Sequence, residues 1–226
     1  MADSRFILGL TACGLLVFLL ASVYFWPGHY LLWSLLFMAL TTVPFVVRFE
    51  LRKVEGRELV LLAVLAAVAA VSRIPFAPLP NVQPTTFVII VAALVFGAES
   101  GFVIGAVAAL VSNLFLGQGP WTPWQMYAWG MIGLAAGLLR NTRFMQTIWG
   151  RCVFGFIAGF VFDWIMNLWA VLAFDSFSWE KVLAFYATSF YFDLAHALSN
   201  VFFLAVFSAG WVKILIRFKK KYGLLG

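Results

Sequence analysis

The chain has 226 residues, of which 64% are hydrophobic and 11% charged, and its mean hydropathy is +1.01. A soluble globule of this length has too little interior to hide so much apolar surface, so the composition excludes a soluble protein and indicates an integral membrane protein. The formal net charge of +6 is not arranged as a stripe of basic and polar residues for nucleic acid, and positive-inside bias explains it better.

The apolar residues fall into eight runs, each of which is predicted to be a transmembrane helix. In chain order the runs are 6–26, 30–47, 59–72, 86–96, 102–116, 126–139, 153–174 and 182–216. The first is too long and too poorly flanked for a cleavable signal peptide. The short runs 86–96 and 102–116 are expected to be two full spans; the alternative is a re-entrant pair shielded by protein. Cys13 and Cys152 lie inside such runs, which favours buried apolar residues over a disulfide or a metal site.

The cationic residues predict the orientation. If both termini are cytoplasmic, the breaks between the runs alternate between the two sides of the membrane. Every Lys and Arg except Arg73 and Lys181 then lies on the cytoplasmic side. This distribution follows the positive-inside rule, so we predict a multi-pass protein with both termini in the cytoplasm.

The polar residues predict two parts. The first two runs are apolar throughout and are followed by the charged stretch RFELRKVEGRE, whereas the later six runs carry nearly all the polar side chains. We therefore predict an all-α integral membrane protein. Residues 1–58 form two accessory helices and a charged cytoplasmic linker, and residues 59–226 form a six-helix substrate-binding core with a basic cytoplasmic C-terminus.

Two predicted exterior loops carry neutral hydrogen-bonding side chains. RIPFAPLPNVQPTT, residues 73–86, contains four prolines and is expected to be stiff and extended. LGQGPWTPWQM, residues 116–126, combines tryptophans, glutamines and prolines without any charge. Rigid aromatic faces beside neutral amides suit a ligand with flat apolar area and many amide groups, although an interfacial belt loop has a similar composition. The candidate substrate-binding residues are Arg73, Asn81, Gln83, Thr85, Asn113, Gln118, Trp121, Trp124, Gln125 and Asn167.

Other polar and aromatic residues have competing interpretations. Trp26, Trp33, Trp169 and Trp179 are assigned to an interfacial aromatic belt. Asp193 and His196 lie three residues apart on the last helix, and we predict an internal ion pair involving them. For Asp163, Asn167 and Asn200, a ligand cavity and interhelical hydrogen bonds remain equal alternatives.

Enzyme signatures are missing from the sequence. There is no His-Glu-x-x-His spacing, no Gly-x-Ser-x-Gly, no pair of glutamates on one helix and no Walker loop. An intramembrane hydrolase that uses Asp163 and Asp193 is the alternative from a different functional class. We therefore predict that the chain is not an enzyme and holds neither a metal ion nor a cofactor.

One part of the sequence resembles a known family. PNVQPTT, followed by GAESGFVIGAVAALVSNLFLGQGPWTPWQMYAWGMIGLAAGLL, is similar to the substrate-binding S component of energy-coupling factor (ECF) vitamin transporters, over about residues 59–218. The GQGPWTPWQM stretch resembles members that take up cobalamin. The two additional N-terminal helices depart from the family's six-helix pattern.

The resemblance implies vitamin uptake across a bacterial plasma membrane. The S component binds its vitamin from outside, docks on a transmembrane coupling subunit and topples to release the vitamin inside. Two ATPase subunits bind the ATP and supply the energy. Neutral amides favour cobalamin or a related corrinoid as the ligand, and a queuosine precursor is the chief alternative. His196 is expected to be a hydrogen-bonded histidine between helices rather than a cobalt ligand.

Small residues on the first core helix predict a docking surface. Ala63 and Ala67 are four residues apart, and so are Ala66 and Ala70. Strips of this kind allow helix backbones to approach closely in lipid. The resemblance implies that the strip contacts the coupling subunit; the alternative is packing within this chain.

Overall fold

The computed structural model describes residues 56–172 and 178–223, together with Gly14, Val17 and Leu36. The predicted helices 6–26 and 30–47 lie almost wholly outside the described residues. The two accessory helices, and the division of the chain at residue 58, therefore stay predictions.

The described part of the chain is all helical, as the sequence predicts. It contains seven helices and no strand: α1 (Gly56–Arg73), α2 (Pro84–Phe96), α3 (Ala98–Leu116), α4 (Thr122–Leu139), α5 (Arg143–Gln146), α6 (Ile148–Leu172) and α7 (Trp179–Tyr222). A 3₁₀ turn, Ile74–Phe76, follows α1. By length and composition, four segments of the described chain are able to cross a membrane: Gly56–Phe76, Ala98–Leu116, Ile148–Val171 and Trp179–Tyr222.

Helix α2 occupies the middle of the bundle. Every one of its residues except Leu94 is buried, and it packs against α1, α3, α4 and α7. A helix that is apolar all round is stable only when neighbours cover each face. Its 13 residues extend only about 20 Å, less than the hydrocarbon thickness of roughly 30 Å. Thus α3 is long enough to span, whereas α2 is a shorter buried helix beside it.

Helix α4 begins earlier than the apolar run predicted. Its first residue is Thr122, and Pro123 stands in the first turn, where a missing backbone N–H costs no helical hydrogen bond. The connection after α3 is therefore only residues 117–121. Trp124 and Gln125, which we expected in a loop, lie in the first turn of α4.

Helices α3 and α4 touch backbone to backbone. A Cβ atom at Gly105 would overlap the carbonyl oxygen of Trp129, and one at Gly133 would overlap that of Gly101. Only glycine fits at such positions, and close backbone approach lets dispersion hold the two helices together.

The bundle has two chemically different ends. We call the end with residues 74–83 and 117–121 the proline end, and the opposite end, where α5 lies, α6 begins and α7 finishes, the basic end. Helix α7 has 44 residues and is roughly 66 Å long, about twice the hydrocarbon thickness. Part of α7 therefore lies outside the hydrocarbon layer.

Candidate functional site

An amide cluster joins three helices at the proline end. Asn113 of α3 donates from Nδ2 to the Oε1 atom of Gln125 at 2.7 Å and to the Oγ1 atom of Thr122 at 3.0 Å. Its Oδ1 atom accepts from Nη1 of Arg73 at 2.9 Å. Asn113 and Gln125 are both buried. Because a buried amide without partners is costly, this pairing fixes the ends of α1, α3 and α4 relative to one another.

The guanidinium group of Arg73 lies against neutral partners. Besides Asn113, Nη1 donates to the Oγ atom of Ser112 at 3.1 Å. The guanidinium carbon is 5.2 Å from the ring centroid of Trp129, a cation–π contact. Among the described residues, no carboxylate lies within ion-pair distance of Arg73. Arg73 thus places a positive charge among amide, hydroxyl and aromatic groups at the proline end.

A second polar chain begins at Trp129. Its Nε1 atom donates to the Oγ1 atom of Thr86 at 3.0 Å, and the same hydroxyl lies 2.9 Å from Nε2 of His196. The Nδ1 atom of His196 lies 3.0 Å from Oδ2 of Asp163, whose Oδ1 atom accepts from Nδ2 of Asn81 at 3.2 Å. With the proton of a neutral imidazole on Nδ1, every group in this chain is satisfied. Both ring nitrogens of His196 are engaged, which confirms the expectation of a hydrogen-bonded histidine between helices.

The amide cluster and the polar chain that begins at Trp129 form one connected polar set. Arg73 joins the amide cluster to the Trp129 chain through its contact with the indole ring. The set therefore includes at least one residue from each of the six long helices of the described chain, from α1 to α4 and from α6 and α7. Proteins in lipid satisfy polar groups internally, so this set fastens the whole bundle near the proline end.

The partner of His196 differs from the prediction. His196 pairs with Asp163 of α6 and not with Asp193 of its own helix. Asp193 instead accepts at Oδ2 from the Oγ atom of Ser189 at 3.3 Å, and this Ser189 Oγ atom accepts from Nδ2 of Asn167 at 2.8 Å. The prediction was wrong because helical spacing orders residues on one helix but does not show which side chain enters from the neighbouring one.

Two predicted site residues at the start of α2, Gln83 just before the helix and Thr85 in its first turn, are buried. Thr85 donates to the backbone oxygen of Ala69 at 2.9 Å and so anchors α2 to α1. The backbone N–H of Gln83 donates to Ser199 at 3.2 Å, while its buried side-chain Oε1 has no hydrogen-bond partner. The buried Oδ1 of Asn200 is also without a partner. Gln83 thus leaves an unused acceptor beside the proline-rich segment.

The tryptophans of the second loop occupy different environments. Trp124 is 3% exposed and belongs to the packed interior. Trp121 is partly exposed and meets Trp169 edge to face, with ring centroids 5.9 Å apart. Its ring also lies over Gly119, where a Cβ atom would clash with it. Gln118 is exposed, but its side chain donates to the backbone of Leu110 at 2.9 Å. The aromatic surface at the proline end is therefore the Trp121–Trp169 pair.

The alanine strip divides between two faces of α1. Ala66 and Ala70 are buried within the chain, whereas Ala63 and Ala67 are exposed. A side chain in the bundle's own core cannot also contact a partner. Ala66 and Ala70 are therefore excluded as docking residues, and the docking hypothesis keeps Ala63 and Ala67.

Sequence reasoning missed two residues of this site. Trp129 lies in the middle of the polar set, and Trp169 completes the aromatic pair. Neither tryptophan carried a distinguishing signal in the sequence, because each stands near one end of its apolar run (126–139 and 153–174), where a belt tryptophan is expected.

Comparison with known proteins gives one match. The family model described as ECF transporter, substrate-specific component, matches residues 57–218, which extend from the start of α1 to near the end of α7. No curated protein and no solved structure matches the chain.

Proposed function

The chain belongs to the family of ECF transporter substrate-specific components, and on that premise we propose that it captures cobalamin or a related corrinoid. Members of this family are substrate-binding membrane subunits, and they work with a transmembrane coupling subunit and ATPase subunits. The family is a transporter component rather than an enzyme class. The choice of ligand, the contact residues and the orientation in the membrane are our proposals.

The observation that carries the ligand proposal is the chemistry of the proline end. Arg73 stands among neutral amides, and a partly exposed aromatic pair lies at the same end. The other described cation of this end is the exposed Lys181 at the start of α7. A corrinoid presents a broad flat macrocycle edged with neutral amides, and cobalamin adds one phosphodiester. Aromatic faces suit the macrocycle, amide side chains pair with amides, and one guanidinium suits one phosphodiester. Ligands with several carboxylates would require more cations than this end supplies.

The candidate residues take different roles in this proposal. Asn81, Gln118, Trp121 and Trp169 stand at the surface of the proline end and contact the ligand directly. The buried residues Asn113, Trp124, Gln125 and Thr85 form the floor and hold it rigid, since their side chains are packed or already hydrogen-bonded. Gln83 contributes the unused Oε1 acceptor, and Asn167 joins α6 to α7.

The remaining steps of the proposal draw on the family and on the positive-inside rule. The proline end faces the outside of a bacterial plasma membrane, and the basic end faces the cytoplasm together with both termini. The exposed Ala63 and Ala67 contact the coupling subunit, on which the loaded chain topples to release its ligand. ATP is bound by the two ATPase subunits, and this chain needs no cofactor of its own.

Calorimetry on the purified chain tests the ligand. We expect binding of cobalamin or cobinamide without ATP and without any partner subunit, because the site lies wholly in this chain. A queuosine precursor serves as the comparison ligand. Clear heat from that precursor with none from either corrinoid would overturn the corrinoid assignment and leave the family assignment intact.

A further inference from the structure

A basic cleft lies at the end of the bundle opposite the proposed ligand site. It has a volume of about 420 Å³ and is formed where α6 begins and α7 ends. Its cationic lining residues are Arg151, Lys213, Arg217 and Lys220. None of the described residues that line it is acidic. The cleft therefore concentrates positive charge that the lining itself does not neutralise.

Three cations on one face of α7 repel one another and destabilise the protein unless an anion is bound. Lys213, Arg217 and Lys220 are spaced by four and three residues, so they lie on one face of the helix. Like charges at this spacing repel. Within the described residues, none of the three has a hydrogen-bond or ion-pair partner in the protein. A bound anion would offset the repulsion and satisfy their donors.

The fourth cation is held in place by the protein. Arg151 donates from Nε to the backbone oxygen of Met145 at 2.9 Å and from Nη2 to that of Gln146 at 3.3 Å. Its Nη1 atom lies 3.5 Å from the Oγ atom of Ser208. These contacts fix the guanidinium group before any ligand arrives, which reduces the entropy lost on binding.

The rest of the lining is apolar. Ile148 and Ile216 are 45% and 40% exposed, and Val212, which directly precedes Lys213 on α7, also lines the cleft. Helices α6 and α7 are both candidate membrane spans, so apolar surface exposed along them faces lipid tails. A free inorganic anion makes no favourable contact with an apolar lining, whereas an acyl chain packs against it.

We propose that this cleft binds the phosphate headgroup of an anionic phospholipid, with the acyl chains against Ile148, Val212 and Ile216. Basic pockets between helices at the cytoplasmic end of membrane proteins take headgroups of this charge. The site is distinct from the proposed corrinoid site at the proline end. Its occupant anchors the C-terminal part of α7 to the start of α6 at the membrane surface.

Native mass spectrometry of the full chain in detergent tests the proposal with phosphatidylglycerol and phosphatidylcholine as probes. Wild type retains phosphatidylglycerol in preference to phosphatidylcholine. The variant Lys213→Gln/Arg217→Gln weakens retention of phosphatidylglycerol by roughly thirtyfold, as expected for two cations near a membrane surface. The matched control Arg143→Gln/Lys221→Gln removes one Lys and one Arg from the same end but outside the cleft, and it retains the lipid.

Three further measurements keep the result interpretable. The charge-conserving variant Lys213→Arg/Arg217→Lys retains the lipid, and loss there would contradict recognition by charge. Inorganic phosphate at the same concentration does not displace the lipid; displacement would show a site for free anions instead. If the double glutamine variant does not fold, Lys220→Gln alone gives roughly fivefold weaker retention. Equal retention of phosphatidylglycerol by the cleft and control variants overturns the proposal. Cleft variants that keep the lipid but no longer bind the ATPase subunits also overturn it, and would show that the cleft binds an acidic protein surface.

Discussion

At the scale of single residues, burial separates the polar side chains into two groups. Asn113 and Gln125 have their amides paired with each other inside the bundle. Asn81 and Trp121 are partly exposed at the proline end. Buried amides that are already paired offer a ligand few free donors or acceptors. Substitutions at the exposed positions therefore report on binding, and those at the buried positions report first on stability.

Trp121 tests the proposed aromatic contact. We expect Trp121→Ala to weaken corrinoid binding by about 1–3 kcal/mol, the scale of losing an aromatic anchor in a binding site, while the fold is retained. Calorimetry on the purified chain measures the loss. Trp149→Ala is the control, because Trp149 is 83% exposed at the basic end. Unchanged affinity in Trp121→Ala would return Trp121 to the aromatic belt.

Asp163 tests the polar set. Asp163→Ala leaves Nδ1 of His196 and Nδ2 of Asn81 without their acceptor, so we expect the free energy of unfolding to fall by about 3–5 kcal/mol. Asp163→Asn keeps an acceptor oxygen of similar shape and is expected to cost less. Denaturant unfolding in detergent measures both variants. The exposed Glu180→Ala is the control, with a change within about 1 kcal/mol. Equal, small losses in both Asp163 variants would contradict a structural role.

At the scale of helices, contact distance is controlled by the smallest residues. Gly101 and Gly105 of α3 face Gly133 and Trp129 of α4 across a contact that leaves no room for a side chain. On α1, the buried Ala66 and Ala70 face the bundle, and the exposed Ala63 and Ala67 face away from it. The same residue type thus serves internal packing at some positions and leaves an open surface at others.

Gly105 tests the contact between α3 and α4. We expect Gly105→Ala to lower the free energy of unfolding by about 1–3 kcal/mol, because the added Cβ meets backbone atoms of Trp129 that cannot rotate away. Gly210→Ala on α7 is the matched control, since no atom lies within 4 Å of its Cβ position. That substitution should be neutral or stabilise by about 0.5–1 kcal/mol through helix propensity. If both variants have the same free energy of unfolding, α3 and α4 accommodate the added methyl group without loss of stability, which contradicts a tight contact.

The exposed part of the alanine strip tests docking. We expect Ala63→Trp and Ala67→Trp to retain ligand binding in the isolated chain but to lose ATP-driven uptake in the assembled transporter, because a bulky side chain holds the coupling subunit away. Reconstituted vesicles and a pull-down with that subunit measure the two effects. Ala66→Trp is the contrasting variant: it overfills the core and lowers stability even without a partner. Normal docking and transport by the Ala63 and Ala67 variants would exclude this face.

At the scale of the whole molecule, charge separates the two ends. The neutral amides and the Trp121–Trp169 pair lie at the proline end, and the basic end carries the cleft cations and the lysines that finish α7. This polarity predicts the orientation through the positive-inside rule. It also places the proposed lipid site and the proposed corrinoid site at opposite membrane surfaces.

Cysteine labelling tests the orientation. In a Cys13→Ser/Cys152→Ala background, Leu79→Cys should react with an impermeant maleimide in intact cells, since Leu79 is 52% exposed at the proline end. Trp149→Cys, at the basic end, should react only after permeabilisation. The reverse pattern would place the proline end in the cytoplasm.

The sequence by itself determined the local properties of this protein. Length and mean hydropathy predicted an all-helical membrane protein, and the last six apolar runs located the long helices of the described residues, because hydrophobicity and the proline and glycine breaks are properties of adjacent residues. The loop motifs also identified the family. The observed helix ends differ from the predicted ends by several residues where polar residues form the first turn, as at Thr122 of α4.

Only the tertiary structure decided which side chains meet. Asp163 and His196 are 33 positions apart, and their pairing depends on how α6 rotates against α7. The same holds for Trp121 beside Trp169, and for the division of the alanine strip between a buried and an exposed face. Helical periodicity places residues on a common face but does not say which neighbour covers that face. That choice follows from the packing of all the helices together, and no single segment of the chain encodes it.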